Sequence, residues 1–211
     1  MGTCNGMDLL LIRHGITEWN LQKRYLGHTD IGLAEGELSK LDPLKLALRN
    51  QSYHAVFTSD LKRCKETAHY LGIGTHLKED ARLREMNFGE WEGKTYGELK
   101  SKPEYQRWLR DWEQHATPNG ESWSEFTSRL DSFLEDLIQC GEIAKINTNQ
   151  PIVVITHGGV VRYFLWKFKA VHSFWDLPIK PGQAFRLSVS REGEGWLCNS
   201  LLAVPMQEKE K

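Results

Sequence analysis

Two stretches decide the fold: Leu9–Asn20, LLLIRHGITEWN, and Ile152–Arg162, IVVITHGGVVR. In each, a run of Leu and β-branched residues stops at a His-Gly pair. Such a run, ending at glycine, reads as a buried strand. In an open parallel sheet, ligands bind in the crevice outside the carboxyl ends of the strands. If the two strands are neighbours they lie about 4.8 Å apart. His14 and His157 then face one small site.

Strand and helix patterns alternate outward from these stretches. Met7–Arg13 reads as the first strand, and Thr17 as the N-cap of a short helix reaching Asn20. Leucines at 38, 41, 44, 46 and 48 point to a helix within 34–50, interrupted at Pro43. His54–Thr58 is a second strand. Ser59 is expected to cap a helix over Asp60–Leu71, with Arg63 in its first turn and Gly72 at its end. Thr75–Leu77 reads as an edge strand. Leu83–Gly93, LREMNFGEWEG, has no period and reads as an acidic loop. Helices are expected over Tyr96–Ser101, Pro103–Gln114 and from Ser122 or Ser124 to about Cys140. Ile143–Gln150 is a polar connection. Gly158–Lys169 is a helix after the second signature strand. Phe185–Ser190 and Trp196–Leu201 form an antiparallel hairpin at a sheet edge, and the tail 205–211 is frayed.

The fold class is therefore α/β. A three-layer α/β/α arrangement is expected, with a mostly parallel central sheet, antiparallel edge strands and a helical cap insertion over 93–120. The 211 residues, 40% hydrophobic and 26% charged, read as one domain, 1–211. A net charge of −1 gives no general attraction to nucleic acid or an anionic membrane. No apolar run approaches membrane-spanning length, and Met1–Gly6 lacks the charged and apolar regions of a secretory signal, so a cytoplasmic protein is expected. Cys4, Cys64, Cys140 and Cys198 are scattered without metal-binding spacing, as reduced structural thiols would be.

Arg13, His14, Arg63 and His157 are expected at one sheet edge. Arginine forks match phosphate oxygens, and helix N-termini add backbone donors. A neutral histidine nitrogen is a competent nucleophile, and cationic neighbours disfavour its protonation. An alcohol leaving group needs a proton, for which Glu85, Glu90 and Glu92 all stand in the acidic loop. A zinc site is the alternative use of paired histidines, but Arg13 beside His14 argues against it. No metal and no cofactor is expected. His28, His54, His69, His76, His115 and His172 are assigned no role.

Four blocks resemble the histidine phosphatase superfamily in its phosphoglycerate-mutase-like branch: Leu11–Asn20, Ser59–Ala68 (SDLKRCKETA), Leu83–Gly93 and Thr156–Arg162. They occur in the family's order, from about Asp8 to Leu201. The resemblance implies a phosphomonoesterase in which His14 is phosphorylated, Arg13, Arg63 and His157 hold the phosphoryl group, and Glu85 is the acid-base residue. Thr17, Asn20 and Gly158 fall at positions near the phosphate. Ile16 departs from the family, which often has Glu there. The compact, acidic Leu83–Gly93 block favours hydrolysis over mutase activity. Trp108–Trp112 and Thr117–Ser122 resemble the cap of the alpha-ribazole phosphatases, the cobalamin-pathway members. That implies alpha-ribazole 5′-phosphate as substrate. The alternatives are a broad-specificity phosphatase for sugar phosphates, nucleotides or phosphoglycerate, and, further off, a mutase or a non-catalytic phosphate-binding module. A small phosphate ester is the expected partner, with the chain a monomer or a homodimer.

Overall fold

The computed structural model describes residues 6–139, 150–193 and 195–205. The expected helix end at Cys140, nearly all of the 143–150 connection and the tail beyond 205 lie outside them. Among the described residues, six strands form one sheet in the order β3-β2-β4-β1-β5-β6. These are β1 (Gly6–Arg13), β2 (Ala55–Thr58), β3 (Leu77–Glu79), β4 (Ile152–Thr156), β5 (Ala184–Glu192) and β6 (Gly195–Val204). The β3-β2-β4-β1 half is parallel, and β5 and β6 continue it antiparallel.

The strand alternation builds two cores. Met7, Leu9 and Leu11 share a core with Ile152 and Val154; Leu10 and Ile12 share the opposite one with Val153 and Ile155. The first core takes the apolar faces of α6 (Trp123–Gln139) and α7 (Gly158–Lys167), together with Leu99 of α4 (Tyr96–Leu99) and Tyr105 and Trp108 of α5 (Pro103–Arg110). The second takes Leu44 of α2 (Asp42–Ala47) and Cys64, Ala68 and Leu71 of α3 (Lys62–Leu71). Continuous apolar strands are what a sheet covered on both faces requires, and each fully buried Leu, Ile or Val contributes about 1.5–3 kcal/mol.

Strands β1 and β4 are parallel neighbours, paired from Leu9 with Ile152 to Arg13 with Thr156. The chain leaves β1 toward the α2/α3 face but leaves β4 into α7 on the other face. A crevice opens where adjacent connections diverge in this way. His14 and His157 are the next residues of the two strands.

Several boundaries differ from the sequence reading. The 34–50 stretch splits into a 3-10 helix, Glu35–Leu41, and α2, in whose first turn Pro43 is tolerated because no donor is needed there. Helix α3 begins at Lys62, not Asp60, and Ser59 does not cap it. The Asp60 carboxylate is held by Arg84, which draws it below the usual range, and Asp30 Oδ1 accepts the Lys62 N–H at 2.7 Å instead. Strand β3 sits two residues later than expected. Helix α5 stops at Arg110 rather than Gln114, with Asp111 leaving helical geometry. Trp112 then packs on Trp123 at 4.4 Å between ring centroids, so Trp108 and Trp112 do not share one helical face.

Candidate active site

The ladder between β1 and β4 runs on for one more bond, His14 N–H to Thr156 O at 2.8 Å, which sets the two imidazoles side by side. Their ring centroids are 5.1 Å apart. Both rings are buried, His14 3% exposed and His157 not at all. Arg63, also fully buried, rises from the first turn of α3, and its Nε lies 3.3 Å from His157 Nδ1. Arg13 closes the group from the end of β1, with Nη1 bonded to Ile179 O. Gly158 packs beside it: a Cβ there would stand in ordinary contact with the guanidinium carbon, at 3.4 Å.

The partners of each ring fix its tautomer. His14 Nδ1 is 2.7 Å from Gly15 O. A carbonyl only accepts, so Nδ1 carries the proton and Nε2 keeps its lone pair. Arginine only donates, so His157 Nδ1 accepts from Arg63, and its Nε2–H turns toward Cys64 Sγ at 3.5 Å. Burial holds His14 well below the ordinary histidine pKa, with Arg63 and Arg13 adding to it. Burial does the same to His157, reinforced by Arg63, His14 and Arg13. Both rings are neutral at neutral pH. Burial lowers Arg13 to about 10, which leaves it charged, and pushes the Cys64 thiol up to about 12, which leaves it protonated.

Arg63 is braced by the Gly27 and Thr29 carbonyls at 2.7 and 2.9 Å. Arg13 Nε is buried without a partner among the described residues. A buried, unsatisfied charged donor costs free energy that an incoming anion would recover. The site thus holds two guanidinium groups, two neutral imidazoles and the N-terminus of α7, a donor set suited to a tetrahedral oxyanion. Among the described residues, no three His, Cys, Asp or Glu side chains converge as metal ligands.

The three acidic candidates of the loop have different surroundings. Glu85 enters the site: its Oε2 accepts from Gly159 N–H at 2.9 Å, and its Oε1 from Met86 N–H at 3.0 Å. Glu90 is exposed and bonded to Asn119. Glu92 accepts from the His28, Thr29 and Phe88 amides, which staples the loop to the 27–29 turn. Thr17 and Asn20 form a reciprocal capping box at the start of α1 (Glu18–Leu21), and Thr17 is fully buried.

Two arginines went unassigned in the sequence reading. Arg129 of α6 grips Glu121 and donates to the carbonyls of Arg84 and Glu85 at 2.7 and 2.9 Å, pinning the strip of backbone that carries Glu85. Arg162, one turn into α7, stacks over the Trp175 ring at 5.0 Å. Its place in the HGGVVR block was the available signal. Arg129 had none, because the carbonyls it binds lie in a loop distant in sequence.

Comparison with known proteins fits this geometry. The histidine phosphatase superfamily (branch 1) matches residues 9–201, and the chain belongs to that superfamily. Its fold and paired histidines are those of a histidine-phosphatase-type hydrolase. The adenosylcobalamin/alpha-ribazole phosphatase of Salmonella typhimurium is 28% identical over 185 residues, 81% of this chain and 89% of that protein. Phosphoserine phosphatase 1 of Hydrogenobacter thermophilus is 32% identical over 156 residues, 72% of this chain and 71% of that one. The crystal structure of phosphoglycerate mutase from Thermus thermophilus superposes with a TM-score of 0.68 at 32% identity, covering 94% of this chain and 99% of that chain.

Proposed function

We propose that the chain is a metal-independent phosphomonoesterase working through a phosphohistidine, with alpha-ribazole 5′-phosphate as its substrate. The observation that carries the chemistry is a neutral His14 whose Nε2 lone pair is free beside Arg13, Arg63 and His157. In the first step Nε2 attacks phosphorus, the ester P–O bond breaks, and Glu85 gives its proton to the leaving alkoxide. In the second, Glu85 takes a proton from water, the oxygen attacks phosphorus, and the P–N bond breaks to release orthophosphate. Arg13 and Arg63 hold the equatorial oxygens, joined by His157 once its Nε2–H turns from Cys64 Sγ to the phosphoryl group, and positioning and charge stabilisation supply most of the catalysis. Gly158 contributes its helix-terminal amide, and Thr17 and Asn20 are assigned to phosphate binding from their place in the Leu11–Asn20 block. Residues 93–120 act as a cap within a single domain, 1–211.

The substrate assignment draws on the Salmonella relative and on the cap sequence. Broad specificity is the second reading, favoured by relatives of similar identity whose names specify phosphoserine or phosphoglycerate chemistry. Metal-free kinetics in EDTA decide between them. The panel holds alpha-ribazole 5′-phosphate, 3-phosphoglycerate, phosphoserine, a nucleoside monophosphate and para-nitrophenyl phosphate. A kcat/KM for alpha-ribazole phosphate about a hundredfold above the others, some 2.7 kcal/mol of discrimination, supports a dedicated enzyme. Level values across the panel refute that substrate.

A further inference from the structure

A cavity of about 100 Å³ opens directly beside Glu85 and Gly159. Its walls are Trp108, Trp112, Trp123, Phe126, Phe174 and Trp175, with Arg162 as the cation among them. These rings come from α5, the turn after it, α6 and the loop following α7, so the chain assembles them from four separate places. Trp112, Trp123 and Phe174 are only half-buried and Trp175 is 56% exposed, although they contact one another at 4.4–5.7 Å. Core packing does not require four large rings to face an open cleft. Arg162 Nε is buried there without a partner among the described residues, while its guanidinium lies over the face of Trp175. By contrast, the larger groove lined by Asp42, His54 and His76 lies at the amino ends of β2 and β3, away from the histidine pair.

We infer that this chamber is the leaving-group site, that it takes the planar aromatic ring of a phosphorylated alcohol, and that Trp175 and Arg162 are its specificity-determining residues. The inference rests on the phosphatase reading above but not on which ester is physiological. The volume limits it to one ring: it is about two-thirds of the roughly 150 Å³ of an apolar cavity that holds benzene, and the exposed Trp175 side leaves room for the rest of the group. Aromatic walls favour offset-stacked and edge-to-face contact with such a ring. The stacked guanidinium adds a cation–π face and a free donor for an oxygen of the same group. With the ring in the chamber, the ester oxygen lies on the Glu85 side, where the proton is needed.

The test compares 2-phenylethyl phosphate with ethyl phosphate, two alkyl esters that differ in the ring. Burial of one ring predicts a kcat/KM ratio of about thirtyfold in the wild-type protein. Trp175→Ala lowers that ratio about tenfold, mainly through KM. Arg162→Lys keeps the charge, loses the stacking plane, and lowers it about threefold. Trp175 is exposed, so its truncation leaves both cores intact. A wild-type ratio near one, with His14 still phosphorylated, overturns the chamber assignment and leaves the phosphatase reading standing. So does an unchanged ratio in Trp175→Ala, or a higher kcat/KM for 3-phosphoglycerate than for the phenylethyl ester. Failure to hydrolyse either ester, with no phosphate on His14, overturns both.

Discussion

Replacing Gly159 by alanine pushes on Glu85 and on little else. Gly159 lies in the first turn of α7, and a Cβ there would stand 2.3 Å from Glu85 Oε1. Ordinary contact begins at 3.4 Å, so the carboxylate must retreat by about 1 Å, and the bond from Gly159 N–H is strained or lost. A displacement of about 1 Å at a proton-transfer group costs on the order of a hundredfold in rate. The backbone itself is helical, where alanine is favoured over glycine by up to about 1 kcal/mol, so the melting temperature should move by only a few degrees. The assay is kcat with 2-phenylethyl phosphate beside para-nitrophenyl phosphate. The alkoxide leaving group needs a proton and should lose about a hundredfold; para-nitrophenolate needs less help and should lose about tenfold or less. Adding Glu85→Gln to Gly159→Ala should cost little more, since both act on one group. Wild-type kcat on the alkyl ester in a folded Gly159→Ala protein would refute the role of Glu85 and the geometry behind it.

Arg129→Ala should destabilise the protein by about 3 kcal/mol, because it leaves the Glu121 carboxylate and the carbonyls of Arg82, Arg84 and Glu85 without this donor; urea unfolding measures this. The same variant should lower kcat more than it raises KM, as loss of positioning does. Stability should also fall in acid. His14 and His157 have folded pKa values below the ordinary 6.5, so below that pH the unfolded chain binds protons that the native one does not. The two together contribute a slope of up to about 2.7 kcal/mol per pH unit below 6.5, and His157→Gln should flatten it. EDTA should leave kcat unchanged, and added divalent metal should not rescue His14→Ala.

Much of this was legible because the signal was local. The two His-Gly strand ends are visible as apolar runs that stop, and the parallel register between β1 and β4 needed only their adjacency. The Thr17 cap, the Gly72 helix end and the antiparallel hairpin are likewise short-range chemistry. What was not legible depends on residues far apart in the chain. Ser59 looked like the cap of α3, but Asp30 performs that task, because Arg84 has claimed the Asp60 carboxylate that would have opened the helix. Spacing could not separate Glu85 from Glu90 and Glu92. Their partners can: Gly159 for one, Asn119 for another, and the 27–29 turn for the third. Trp112 left its expected helix for a ring cluster with Trp123, Phe174 and Trp175, which the chain reaches only later.

In a phosphohistidine mechanism His14 carries the phosphoryl group. Mixing the protein with excess substrate, quenching in alkali within one turnover and mapping phosphate by peptide mass spectrometry tests it directly. The expected result is stoichiometric label on the His14 peptide that decays at the steady-state rate, and no label and no turnover in His14→Ala. Turnover without a phosphorylated His14, or label that settles on His157 instead, would contradict it.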